Sequence, residues 1–209
     1  MERRDLKTIC LINLKYNFLP HFLAAVLLAL FTPVLFRVEA LDGVKSAYPL
    51  EMVLSLVGMI CLTPVFLPEQ EEGIRDVVRV RKTGYLAVGL LRVCYSLLGV
   101  SLIFGAFVLF MYGRECDVTL RHLAGGIISA FYLGAVGFAV AGISRNVILG
   151  YLISFLCYVS NFGGAGKGFW ASFYLFSMAG GSFQEKYWLL GTGLTLVFLT
   201  FLIKRRREG

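Results

Sequence analysis

The chain comes nearest to a catalytic motif at Gly164-Ala165-Gly166-Lys167. Glycine backbone N–H groups ahead of a lysine can cradle phosphates, but a phosphate loop needs a glycine five residues before the Gly-Lys pair and Ser or Thr after the lysine. Asn161 and Gly168 occupy those positions. Phosphate-loop chemistry is therefore excluded. His21 and His122 are the only histidines and lie far apart. The apolar runs hold no Asp/Glu pair for acid–base work, and Ser and Thr are scattered without a base partner. No catalytic constellation is expected. The five cysteines, Cys10, Cys61, Cys94, Cys116 and Cys157, form no Cys-x-x-Cys pair. They imply neither a zinc site nor a disulfide framework, and no metal site is expected. Two charges sit close to apolar runs. Glu51 is near the start of the second and Arg92 is within the third. Charges at membrane depth are functional candidates, and charges near span ends can instead snorkel to the interface.

The largest concentration of charge runs from Glu69 to Lys82, Glu-Gln-Glu-Glu-Gly-Ile-Arg-Asp-Val-Val-Arg-Val-Arg-Lys, between two long apolar runs. On a helix, Ile74, Val77 and Val78 share one face, while Arg75, Asp76, Arg79 and Lys82 fall on the other flanks. Glu71 or Glu72 near the start and Arg81 or Lys82 near the end match the helix dipole. Gly73 permits a sharp entry. Such a stub can offer its amphipathic face to a partner, or it can be a solvated charged loop.

The elements that would position these residues are apolar. The chain of 209 residues is 58% hydrophobic and only 16% charged, with a mean hydropathy of +0.77. Soluble domains carry about a quarter charged residues, so an integral membrane domain is expected and a sizeable soluble domain is not. The net charge of +7 does not point to nucleic acid, because the basic residues cluster at the ends of apolar runs, where membrane topology accounts for them.

Six runs are near the length needed to cross a bilayer: Phe18–Phe36, Pro49–Leu67, Tyr85–Tyr112, Leu123–Ile143, Val147–Phe162 and Tyr187–Ile203. The fifth is short. With both termini cytoplasmic, 14 of the 20 Lys and Arg fall inside and 6 outside, the bias that orients membrane proteins. The first apolar run is too long for the core of a signal peptide and reads as an anchored span. Residues 1–17 pattern as an amphipathic helix on the inner face, or as a basic topology signal. Along the fourth run, Gly126, Ala130, Gly134, Gly137 and Ala141 recur on one helical face. Small residues allow close helix approach, within the chain or at a dimer seam. Between the fifth and sixth runs, residues 163–186 hold an aromatic segment too short to span, flanked by glycines. It suits a re-entrant or interfacial helix on the outer face.

The pattern Glu-x-x-Glu-Gly-Ile-x-Asp-Val-Val at Glu69 to Val78, followed by a long apolar run, resembles the coupling-helix region of type-2 ABC (ABC-2) transporter permeases. The layout agrees over the whole chain and the motif over about fifteen residues. A departure is Arg81-Lys82-Thr83-Gly84, where family members often carry a proline. The resemblance implies an all-α polytopic membrane protein with an amphipathic elbow helix at 1–17 and a six-helix transmembrane domain at 18–209. Within that domain it implies a cytosolic coupling helix at 69–84 and an extracytoplasmic re-entrant segment at 163–186. It implies a permease subunit of an ATP-driven exporter in a cell (inner) membrane, with no ATP site of its own, working with two copies of a cytosolic ABC ATPase that bind ATP and Mg. It further implies pairing with itself or with a similar permease in the lipid bilayer. Coupling would then fall to Glu71, Glu72, Gly73, Arg75, Asp76 and Arg79. The alternatives are the substrate-binding membrane subunit of a vitamin importer and a non-transport membrane assembly protein.

Overall fold

A computed structural model describes residues 14–69, 85–163 and 173–208. All regular structure among them is helical. Helix α1 is Leu14–Phe36, α2 is Gly43–Pro68, α3 is Tyr85–Tyr112, α4 is Leu120–Ser144, α5 is Val147–Ser160 and α6 is Gln184–Glu208. Five of them, all except α5, have the length and apolar composition to cross a membrane. The outward surface agrees: Leu27, Leu30 and Val34 on α1 are 67%, 68% and 73% exposed. An apolar exterior of this extent needs a lipid neighbour. This is a membrane protein of apolar helices.

The fifth apolar run departs from expectation. Its α-helix has only 14 residues, about 21 Å at about 1.5 Å per residue, against a hydrocarbon core of about 30 Å. The sequence continues apolar to Phe162, but the helix tightens at Asn161–Gly163. The Asn161 side chain donates from Nδ2 to the Cys157 carbonyl (2.8 Å) and accepts at Oδ1 from the Leu175 N–H (2.9 Å). A local side-chain bond thus competes with continuation of the helix.

Helix α4 is central and packs against α2, α5 and α6. Its small residues set the distance. A Cβ at Gly58 of α2 would lie 1.8 Å from the Ala130 carbonyl oxygen, and one at Gly150 of α5 would lie 2.7 Å from the Gly137 carbonyl oxygen. Gly134 faces Gly58 and Leu62, Gly137 faces Thr63, Gly126 faces Phe104 and Leu50, and Ala141 faces Gly150. Lipid gives no hydrophobic drive between helices, so close packing of this kind supplies the attraction.

Helix α2 is not uniform. It is α-helical over Gly43–Tyr48, widens to a π-helix over Pro49–Leu54, returns to α over Ser55–Leu62 and tightens to a 3-10 helix over Thr63–Glu69. Pro49 has no N–H to offer the ladder, so the helix cannot pass through it regularly.

The bundle has two distinct ends. At one, the Ala40 N–H donates to the Arg114 carbonyl (3.0 Å) and the Asp117 N–H to the Leu41 carbonyl (2.9 Å). Arg114 pairs with Glu39 at 3.2 Å. At the other, Asn17 reaches the Pro64 carbonyl (3.5 Å) and Arg92 donates to the Val65 carbonyl (3.1 Å). Lys204 lies 3.4 Å from the centroid of the Phe66 ring. These are the Arg114 end and the Lys204 end.

Candidate functional site

The most concentrated buried polar chemistry among the described residues joins α2, α4, α6 and the turn before α6. Glu51 sits in the π-helical part of α2 and Lys186 is the third residue of α6; both side chains are 0% exposed. Their Oε1 and Nζ atoms are 2.6 Å apart. Lys186 Nζ also donates to Ser129 Oγ on α4 (2.6 Å) and to the Leu175 carbonyl (2.5 Å). An ammonium has three donors, so three acceptors complete it. Ser129 Oγ in turn donates to the Leu175 carbonyl (3.2 Å).

The carboxylate is filled from its other side by backbone. The Met178 N–H donates to Glu51 Oε1 and the Ala179 N–H to Oε2, each at 3.0 Å. These N–H groups open the 3-10 turn Met178–Gly180, which ends at Gly181 with φ 79°. That left-handed conformation is open to glycine at little cost. Asn161 holds the same segment at Leu175, and the Tyr158 hydroxyl donates to the Met52 carbonyl beside Glu51. Leu175, Phe176, Ser177 and Met178 are all buried. Buried irregular backbone needs partners for its N–H groups; Leu175, Met178 and Ala179 have them, while the buried Ser177 Oγ has no hydrogen-bond partner among the described residues. Nearby, burial pushes the Tyr174 phenol above its ordinary value, and the Glu51 charge and Tyr48 push it further.

The cluster holds rather than reacts. Both oxygens of Glu51 and all three donors of Lys186 are engaged. The energetics suit a clamp: a buried pair adds little over an apolar replacement, but removing one partner strands the other and costs about 3–5 kcal/mol.

No family model, no curated protein and no solved structure matches this chain. What the site does therefore rests on its own residues.

Sequence reasoning treated Glu51 as a charge near a span end and Lys186 as part of an outer loop. The structure buries both, and neither snorkels. The signal that could have paired them was present: opposite charges at the same predicted depth, each at the same end of an apolar run. Arg92 is also buried, with its guanidinium on the Val65 carbonyl. Ser129 and Asn161 carried no sequence signal, because a lone hydroxyl or amide in an apolar run is common.

The coupling candidates Glu71, Glu72, Gly73, Arg75, Asp76 and Arg79 lie outside the described residues, as do residues 1–13 and residues 164–172 of the glycine-flanked segment. The described chain enters the charged stretch at Glu69 and leaves it at Tyr85, at the Lys204 end. The two histidines have local partners. His21 Nδ1 is 2.7 Å from the Asn17 carbonyl. His122 Nδ1 accepts from the Thr119 N–H (3.1 Å), so its Nε2 carries the proton and donates to the Gly43 carbonyl (2.8 Å). This bond ties the start of α4 to the start of α2. Among the described residues, no group of three or more His, Cys, Asp or Glu could hold a metal ion.

Proposed function

We propose that this chain is the membrane-spanning permease subunit of an ATP-driven exporter of the ABC-2 type, driven by a separate cytosolic ATPase. The observation that carries the reading is the placement of the charged stretch. It leaves α2 and re-enters α3 at the Lys204 end, where Arg92, Lys204 and the exposed Arg205 and Arg206 also lie. Basic residues concentrate on the cytosolic side of membrane proteins. A charged amphipathic stub there is within reach of a soluble partner.

In this reading, Glu71, Glu72, Gly73, Arg75, Asp76 and Arg79 receive the ATPase, which binds ATP and Mg. The elbow helix expected over residues 1–17 would lie along the inner face over residues 1–13, because residues 14–17 already belong to the membrane-length helix α1. A second permease chain, the same or similar, completes the unit, and α5 with residues 161–163 serves as the fifth crossing. Residues 163–186 form the re-entrant segment, pinned by the Glu51–Lys186 clamp at the extracytoplasmic side. ATPase closure pushes on the stub and biases the helices between two packings, while the clamped end moves as a unit.

The test is co-expression with candidate ABC ATPases, followed by detergent extraction and measurement of ATP hydrolysis. The expected outcome is a retained ATPase whose stimulated hydrolysis is abolished by Arg75→Glu with Arg79→Glu, with helical content unchanged. A chain that purifies alone and binds a small vitamin tightly would instead be an importer's binding subunit.

A further inference from the structure

At the Arg114 end, α1 and α3 part and leave a groove of about 370 Å³ between them, a volume within the range of ligand sites. Its walls are Ala29, Leu30 and Pro33 on α1 and Ala106, Phe107 and Phe110 on α3. Alanines face it from both helices, and their short side chains leave the space open. No polar side chain lines it. Toward the Lys204 end the helices close again, where Phe18 and Phe22 of α1 meet Gly99 of α3. The groove is therefore a slot, closed at one end and lined for hydrocarbon.

The open end differs in chemistry. Each wall stops one turn short of an arginine. The Arg37 N–H donates to the carbonyl of the groove residue Pro33 (3.0 Å), and the Arg37 side chain is exposed. On the other wall, the Arg114 guanidinium lies 5.5 Å from the centroid of the groove residue Phe110. Glu39 holds Arg114 through Nη1 (3.2 Å). A guanidinium has five donors, so Arg114 keeps others for a ligand while Glu39 fixes its position. Arg37 and Arg114 thus bring two guanidiniums to the open end, where Glu39 engages one face of Arg114 and the exposed Glu115 follows it in the chain.

An apolar slot with two guanidiniums at its open end suits an amphiphile whose head carries a phosphate. We propose that the α1–α3 groove binds one phospholipid of the adjacent leaflet, with an acyl chain along Ala29, Pro33, Ala106 and Phe107 and its phosphate on Arg37 and Arg114. Basic groups at the membrane surface hold lipid phosphates in this manner. The site does not depend on the exporter reading. It is also distinct from general lipid contact, because the groove combines an apolar slot with the guanidiniums of Arg37 and Arg114 one turn beyond its walls.

The test uses the purified full chain in detergent with phosphatidylglycerol that carries a diazirine in one acyl chain, and the matching diazirine diacylglycerol. After irradiation, labelled peptides are mapped by mass spectrometry. The expected label falls on residues 29–33 and 103–110. Ala106→Trp, which fills the slot, lowers phosphatidylglycerol labelling there at least fivefold, and Leu30→Trp does the same from the other wall. Arg37→Gln with Arg114→Gln lowers phosphatidylglycerol labelling severalfold and leaves diacylglycerol labelling unchanged. Label spread equally onto the outward face of α5, at Leu152 and Phe155, would reduce the groove to ordinary lipid contact and overturn the proposal. So would labelling that neither filling variant changes, or an Ala106→Cys variant that cross-links two copies and so assigns the groove to a second chain.

Discussion

The two ends of this bundle hold their buried charges with different groups. At the Arg114 end three ion pairs form, Glu39 with Arg114, Asp42 with Lys45, and the buried Glu51 with Lys186. Backbone bonds lace the loops together there, and the buried pair reaches four parts of the chain. At the Lys204 end, the buried Lys204 lies over the face of Phe66 and the buried Arg92 donates to the Val65 carbonyl. Asn17 Oδ1 is buried there without a partner, beside a cavity of about 10 Å³, near the size of one water. A buried ion pair whose donors and acceptors are all engaged resists the loss of either partner; how far the Lys204 end shares that resistance can be tested from both sides.

The largest effect is expected at the clamp. Glu51→Ala strands Lys186 and two backbone N–H groups, and should cost about 3–5 kcal/mol, read as loss of the monodisperse peak and of thermal stability in detergent. Lys186→Met alone should also destabilise strongly, while Glu51→Gln with Lys186→Met recovers most of the loss, because no charge is left buried. The swap Glu51→Lys with Lys186→Glu should fail, since lysine cannot accept from Met178 and Ala179. If the swap behaves like the wild type, the carboxylate–backbone bonds carry no weight.

A matched pair of asparagines sharpens the contrast. Asn161→Leu removes two good hydrogen bonds and should cost about 1–3 kcal/mol by leaving buried groups unsatisfied. Asn17→Leu removes one long bond and an orphaned oxygen, and should be near neutral in the same thermal assay. Equal losses would erase the distinction between the ends. At Lys204, Lys204→Met keeps the stem and removes the cation from Phe66, with an expected loss of about 0.5–2 kcal/mol. Lys204→Arg should retain most of it.

The smallest effect is a pH dependence at Asp42. The Lys45 backbone N–H (2.8 Å) and the Lys45 ammonium hold its carboxyl below the ordinary carboxylate value. A lowered folded pKa stabilises above the unfolded value, and that stability fades as pH falls through the folded one. Asp42→Asn should therefore flatten the stability profile below about pH 4, and leave neutral-pH stability nearly unchanged. An unchanged acid limb would show that the helix cap does not titrate.

Much of the architecture was legible because composition decides it. Long apolar runs in a chain this poor in charge must be helices in lipid, and the glycines and alanines of α4 could be read as a contact face from spacing alone. What was not legible depended on tertiary geometry. The shortness of α5 comes from Asn161 bonding across to Leu175, which no local pattern announces. Glu51 looked like a charge able to snorkel because each span was read alone. Its burial follows from the Pro49 widening and from a turn that arrives much later in the chain. The charged stretch is expected to form a stub, and its own structure lies outside the described residues.

The Glu51–Lys186 clamp also has a consequence in time. Residue 51 is synthesised long before residue 186, and at about 5–20 residues per second the interval is on the order of ten seconds. Until α6 and the turn before it are made, the carboxylate has neither its cation nor its two backbone donors. Closure of the pair therefore waits for α6: a product cut short before α6 carries an open charge in α2, and the arrival of Lys186 seals it.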